Sequence, residues 1–254
     1  MTLQEAITTR HSVRKYIDKE ISADIIAALQ DKIVECNKVG NLNIQLVLNE
    51  TKAFTGMLSY GQFSGVKNYL VMVGKKGNDL DERVGYYGEQ IVLLAQTLGL
   101  NTCWVGVSYR KVPEAYNVGK GEKLACMIAL GYGETQGVSH KIKSVQQVSN
   151  ICDLTPSWFK EGVEAALLAP TAVNQQKFSS EYIGMKDNRH IVKAKKGFSM
   201  IGYKTKTRVL VRPKGKQTLL IQLADDNALE EVVVQGKAKQ HGTTEELDIQ
   251  KTKQ

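Results

Sequence analysis

Between residues 81 and 98 the apolar side chains Val84, Ile91, Leu94, Ala95 and Leu98 recur at helical spacing, and Gly99 follows directly. A stripe of that length must be buried against a second layer. A glycine just past the last turn readily takes the left-handed conformation that closes a helix. Apolar runs of strand length flank this helix, residues 69–73 before it and 102–107 and 124–130 after it, the last closing on Gly131-Tyr132-Gly133. A long amphipathic helix set among short strands points to a helix layer on a sheet.

Earlier in the chain, Thr2 and Glu5 form a capping box for an N-terminal helix with Leu3 and Ile7 on one face. Residues 22–37 predict a second helix, with Ile25, Ile26, Leu29 and Ile33 on one face and Gly40 as its stop. A strand over 44–48 and the polar turn Gly65-Val66-Lys67-Asn68 come next, and residues 139–149 read as a mobile, basic connection. The plan then partly restarts. Thr155-Pro156-Ser157 opens a helix carrying Trp158, Val163, Ala166 and Leu167 as far as Pro170, and a polar loop leads to a strand over 180–185. Helix, asparagine-containing loop and strand thus occur twice, at about 24–48 and 157–185. The expected architecture is α+β: a sandwich of two related halves, about 1–150 and 151–200, around a mixed, mainly antiparallel sheet.

The net charge of +8 raises the question of nucleic acid. Residues 1–200 carry 24 basic and 19 acidic side chains and the remainder 10 and 7, so the excess is spread, without a dense basic block or interleaved aromatics. Attraction to a small anion accounts for the charge as well, and nucleic acid is not expected as a partner. The four cysteines lack paired spacing, which predicts reduced thiols and no zinc site. No apolar run reaches 18 residues and no signal peptide is recognised, so a cytoplasmic protein without a membrane span is expected.

The N-terminal helix runs out at Thr9-Arg10-His11-Ser12-Val13-Arg14, which gathers two guanidinium groups, an imidazole and a hydroxyl within five residues. The planar fork of arginine grips a phosphate through two parallel charge-assisted hydrogen bonds. Three further stretches join it: Gly85-Tyr86-Tyr87-Gly88-Glu89 with its helix, Thr102-Cys103-Trp104-Val105-Gly106, and Ala169-Pro170-Thr171-Ala172-Val173-Asn174-Gln175-Gln176. In this order, with Ala129-Leu130-Gly131-Tyr132-Gly133, they resemble the nitroreductase fold of flavoproteins, in particular the single-chain branch labelled "putative TM nitroreductase". The resemblance covers about residues 1–198.

That resemblance implies a pseudo-dimer in which one chain supplies both halves of an FMN site, as a monomer or weak homodimer. Arg10 and Arg14 would hold the phosphate, with Ser12 donating and His11 against the ribityl chain or the ring edge. Lys141 or Lys143 would complete the phosphate clamp. Asn174 suits the pyrimidine edge or N5 region, while Pro170, Thr171 and Ala172 would pack on the ring. Val105 and Gly106 would bring backbone near the ring, and Lys67 and Asn68 are candidates for its polar edge. Trp104 reads as core or as a stacking partner, and Glu89 as structural or as part of the site. The implied activity is two-electron, ping-pong transfer from NADH or NADPH through FMN to a nitroaromatic, quinone or similar small acceptor, with no catalytic acid or base named. No GxGxxG follows a strand, so the nicotinamide would bind transiently. A flavin-binding protein without turnover, or an interaction module, is the alternative.

Beyond about Phe198 the family pattern stops. Residues 209–211 and 219–223 read as strands, and residues 201–236 resemble the junction between a regulatory β domain and the plug of a TonB-dependent outer-membrane receptor. That likeness implies a chimeric reading frame, with a divergent tail as the alternative. Residues 237–254 have little apolar content and are expected to be disordered.

Overall fold

The computed structural model describes residues 1–55, 62–186, 189–196 and 206–212. Of the predicted C-terminal elements, the strand at 209–211 falls within them. The strand at 219–223, the rest of the receptor-like stretch and the tail 237–254 lie outside the described residues. The chain divides into two units, Met1–His140 and Lys141–Gln254. Within the second unit Lys143 is hydrogen-bonded through its backbone N–H and Nζ to Gln176.

In the first unit, α1 (Leu3–Thr9) carries the expected capping box, with the Thr2 hydroxyl accepting from the Glu5 N–H and the Glu5 carboxylate accepting from the Thr2 N–H. Helix α2 (Ala23–Gly40) and β1 (Gln45–Val47) follow, then β2 (Asn68–Lys75), α3 (Leu80–Thr97), β3 (Asn101–Val105) and β4 (Glu122–Gly131). Gly99 is left-handed (φ +81°) behind α3, as its position requires. Gly40 is not the stop expected of it. It is the last residue of α2, and Asn41 takes the left-handed conformation instead. The missing Cβ of Gly40 is a packing notch, since a methyl group there would come within 2.5 Å of the Tyr87 ring on α3.

The four strands form one sheet in the order β1-β2-β4-β3, every pair antiparallel. Parallel pairing enters only through isolated bridges, Ser12 with Thr102 and Lys15 with Ser64 in this unit. Strand β2 is buried along seven of its eight residues, and the pleat sorts its side chains to two faces. Leu70 and Met72, with Ile128 and Leu130 of β4, join the core formed with α2 and α3. Tyr69, Val71 and Val73, with Met127 and Ala129, join a second core closed by Val13, Tyr16, Phe54 and Val105.

The second unit holds α4 (Val145–Val148), α5 (Ser157–Leu168) and a three-stranded antiparallel sheet, β5 (Phe178–Lys186), β6 (Arg189–Lys196) and β7 (Lys206–Arg212). The stretch read as a mobile connection contains α4, capped by Ser144 and Gln147, with Val148 buried against Phe159, Val163 and Leu167. One turn of helix is too short for its apolar period to stand out in sequence.

Candidate functional site

Arg10 caps α1, donating its backbone N–H to the Ala6 carbonyl, and the chain then runs extended through a clamp of hydrogen bonds. Val13 N–H donates to the Thr102 carbonyl of β3. Tyr16 N–H donates to Ser64, Ser64 N–H to Arg14, Ile17 N–H to Tyr132 and Glu134 N–H to Lys15. Val13 and Tyr16 anchor the segment in the second core, where burial pushes the Tyr16 hydroxyl pKa well up and that hydroxyl donates to the Val13 carbonyl at 2.6 Å. Gly137 closes over the segment at φ +77°. A Cβ there would come within 2.8 Å of His11 Cβ, so a side chain is excluded on both counts.

Arg10 is 4% exposed, one of six buried polar or charged residues among the described residues. Its Nε lies 3.4 Å from Glu89 Oε1, and Glu89 Oε2 accepts from Trp104 Nε1 at 2.8 Å. Burial raises the Glu89 pKa, opposed by the Arg10 charge and the indole donor. Among the described residues Arg10 Nη1 is buried and finds no acceptor. The Gly88-Glu89 pair has a direct explanation: a Cβ on Gly88 would meet the Trp104 ring at 2.5 Å, so the glycine lets the indole lie across α3 and the next residue receives its N–H. Trp104 is therefore held against the helix core, and Glu89 serves both the packing and the arginine.

The remaining candidates of this unit differ in how they are used. Ser12 hydrogen-bonds the Cys103 thiol, whose pKa is raised by burial and eased down by Arg14, Ser12 and Arg10. Arg10, Ser12 and Arg14 are thus gathered at the start of β3, with the Arg14 side chain exposed. Partial burial lowers the His11 pKa, with the Arg10 and His140 charges acting in the same direction. Lys67 is engaged by Asp18 at 2.6 Å, and Asn68 Oδ1 accepts from the N–H of left-handed Asn49 at 3.1 Å. Val105 is buried in the core, while Gly106 is exposed with nothing within 4 Å of the position a Cβ would take.

In the second unit the loop after α5 is organised by Gln176, 2% exposed, which sequence reasoning passed over because a glutamine in a polar loop normally reads as solvated. Its Oε1 accepts from Lys143 N–H at 2.8 Å, and its carbonyl accepts from Lys143 Nζ at 3.0 Å. Its Nε2 donates to the Lys141 carbonyl and to Asn174 Oδ1, and its N–H donates to the Thr171 hydroxyl. Asn174 Nδ2 donates to the Lys141 carbonyl, so Lys141, Lys143, Thr171 and Asn174 are brought together. Both ends of the Asn174 amide are used inside the loop, leaving one Oδ1 lone pair and one Nδ2 hydrogen for outside partners. Val173, Asn174 and Gln176 all have positive φ (44°, 54° and 47°), and Val173 stands 87% exposed between Ala172 and Asn174. Pro170 and Thr171 are half-buried and Ala172 is exposed.

Among the described residues no helix is long and apolar enough to cross a membrane. No functionally curated protein matches the chain. A solved "putative nitroreductase" from Thermotoga maritima MSB8 is similar at 22% identity, over 76% of each chain, with a TM-score of 0.49. A "putative nitroreductase in complex with FMN" from Desulfovibrio desulfuricans is 14% identical over 61% of this chain and 99% of its own, TM-score 0.47. A "putative NADH oxidase" from Clostridium acetobutylicum is 19% identical over 59% and 99%, TM-score 0.45. The likeness of residues 201–236 to a receptor junction finds no support in these comparisons. The model of the family described as "Putative TM nitroreductase" matches residues 2–202, spanning the arginine segment, the Gly88-Glu89 helix and the Gln176 loop, and the chain belongs to that nitroreductase family.

Proposed function

We propose that the chain is an FMN-dependent oxidoreductase that draws on NADH or NADPH and reduces a small acceptor such as a nitroaromatic or quinone. The observation that carries the reading is the buried Arg10 Nη1, a cationic donor with no protein acceptor. A buried donor left unmatched costs about 1–3 kcal/mol or more, and an oxyanion relieves it. The donors at the start of β3 fit a phosphate. Arg10 supplies a held guanidinium, Arg14 an exposed one, and Ser12 a hydroxyl at the same strand end. The exposed backbone at Gly106, with open space on its Cβ side, suits close approach of a flat ring.

When bound, FMN supplies the hydride and electron-pair chemistry. The chain's own work is to bind and orient. The hydrogen-bonded clamp on residues 13–17 fixes the backbone that carries Arg14, and Glu89 holds the Arg10 side chain, before a ligand arrives, which lowers the ordering cost of binding. Family likeness assigns Pro170, Thr171, Ala172 and Asn174 to ring contact and Lys141 or Lys143 to the phosphate clamp. The Gln176 network supports that assignment by holding four of these side chains or carbonyls in one arrangement. No side chain is assigned as general acid or base.

The test is the absorbance spectrum of the purified full chain under anaerobic conditions, before and after NADPH and then NADH. Flavin bands at about 370 and 450 nm that bleach on addition of either donor are expected. Bands that do not bleach indicate binding without turnover, and a colourless protein that takes up no added FMN overturns the reading. A panel of nitroaromatics and quinones then identifies the acceptor.

A further inference from the structure

Arg10 sits in an unusual balance. Its side chain is 3% exposed, its Nε is paired with Glu89 Oε1, and its Nη1 has no partner among the described residues. A guanidinium donates from two edges, and the carboxylate reaches the Nε side while the orphaned Nη1 lies beyond it. The other oxygen of Glu89 is fixed by the Trp104 indole, and the indole is fixed by the notch at Gly88. The carboxylate therefore cannot swing to cover Nη1 without losing the Trp104 bond. The arrangement holds an arginine with one edge neutralised and one edge unmet.

We propose that Glu89 is a positioning residue that aims the free edge of Arg10 at an oxyanion and competes with that oxyanion for the guanidinium charge, so that a group which does not touch the ligand sets its affinity. The proposal rests on the flavin reading in taking the oxyanion to be the FMN phosphate. Two negative groups then flank one buried cation, and their mutual repulsion is large where water is scarce. Protonation of Glu89 removes that repulsion. Burial raises the pKa of the carboxyl, and anion binding raises it further. Anion affinity accordingly rises as pH falls, with a proton taken up on binding. Among the described residues Arg10 is the charged group that acts on Glu89, and Trp104 is its neutral donor. His11, next to Arg10, is a second titratable group, its pKa lowered by burial, and is separated by its own variant.

The experiment uses the full chain carrying Trp158→Phe, so that tryptophan emission reports Trp104, and titrates it with sulfate, which does not itself titrate between pH 5.5 and 8 (a range set by roughly the titration limits of buried carboxyls). Sulfate is expected to shift the Trp104 emission and to bind about tenfold more tightly at the acid end. Glu89→Gln should remove the pH slope and bind about tenfold more tightly at the alkaline end, while His11→Asn keeps the slope. A slope that survives Glu89→Gln overturns the proposal. Calorimetry of sulfate binding in two buffers of different ionisation heat tests the parent chain without relying on a variant's folding, and absence of proton uptake also overturns it. Parallel titration with FMN and riboflavin separates the two readings. Glu89-dependent sulfate binding without a preference for FMN defeats the flavin reading alone. A preference for FMN that is indifferent to Glu89 defeats this inference alone.

Discussion

The arginine segment of the first unit and the glutamine loop of the second reach order by opposite means. Residues 12–17 carry few side-chain hydrogen bonds of their own and are held by main-chain pairing to β3, to Ser64 and to residues 132–134, over the buried Val13 and Tyr16. Residues 171–176 have local main-chain turns, Asn174 N–H to Thr171 and Gln175 N–H to Ala172, and are otherwise held by side chains, above all the buried amide of Gln176. The first arrangement leaves a cationic donor unmatched; the second matches its polar groups internally and places the stress in the backbone, at Val173, Asn174 and Gln176. Main-chain clamping frees side chains for a ligand, whereas side-chain clamping consumes them. For a β-branched residue such as Val173 a left-handed φ is a rare conformation that persists only where surrounding contacts impose it.

The largest expected effect falls on the charge-held region. Glu89→Ala strands Arg10 as a buried, uncompensated cation and should lower stability by about 3 kcal/mol. Urea unfolding followed through Trp104, with Trp158 replaced by Phe, measures it, and a change below about 1 kcal/mol would mean that the pair contributes little. Gly88→Ala comes next. In an open helix this change is favourable by up to about 1 kcal/mol, but here the methyl meets Trp104 and Met72 at 2.5 and 2.7 Å, and a loss of about 1–3 kcal/mol is expected. Gly85→Ala, in the same helix with nothing within 4 Å, should instead gain a fraction of a kcal/mol, on the order of the helix-propensity difference. Equal effects at the two glycines would refute the notch.

On the other side of the comparison, Gln176→Ala should cost about 2 kcal/mol by leaving buried partners on Lys141 and Lys143 unsatisfied. Trp158 emission reports the second unit, and hydrogen exchange at the Lys143 amide should speed up with it. The smallest effect is expected at Val173→Gly, which relieves the left-handed valine and should raise stability by about 1 kcal/mol or less after the entropic cost of glycine. A loss instead would show that the exposed Val173 side chain has a partner.

The long α3 stripe, the capping box at Thr2 and Glu5 and the left-handed Gly99 were legible because each follows from neighbours within one or two turns. The buried strands were legible as apolar runs, although β6 escaped notice because Arg189–Lys196 reads as a basic, polar stretch. Gly40 was legible only as a helix stop, since the Tyr87 ring that requires it lies on another helix. The arginine cluster could be found by motif, but not the fact that Arg10 turns inward to Glu89 while Arg14 stays outside. Gln176 entered only as the end of the Ala169–Gln176 stretch, with no sign of its organising role, because burial of an amide depends on partners 33 to 35 residues away.

By itself, then, the sequence determined the helix and strand periods, the ends closed by local caps and the α+β class, because these depend on side-chain spacing and near-neighbour sterics, while the family came from the likeness of its ordered motifs. Tertiary structure decided the roles of Gly40, Gly88, Glu89, Trp104 and Gln176. Each of those roles is an interaction between groups distant in the chain, and the value of a charge or an amide is fixed by the burial and the partners that only folding supplies.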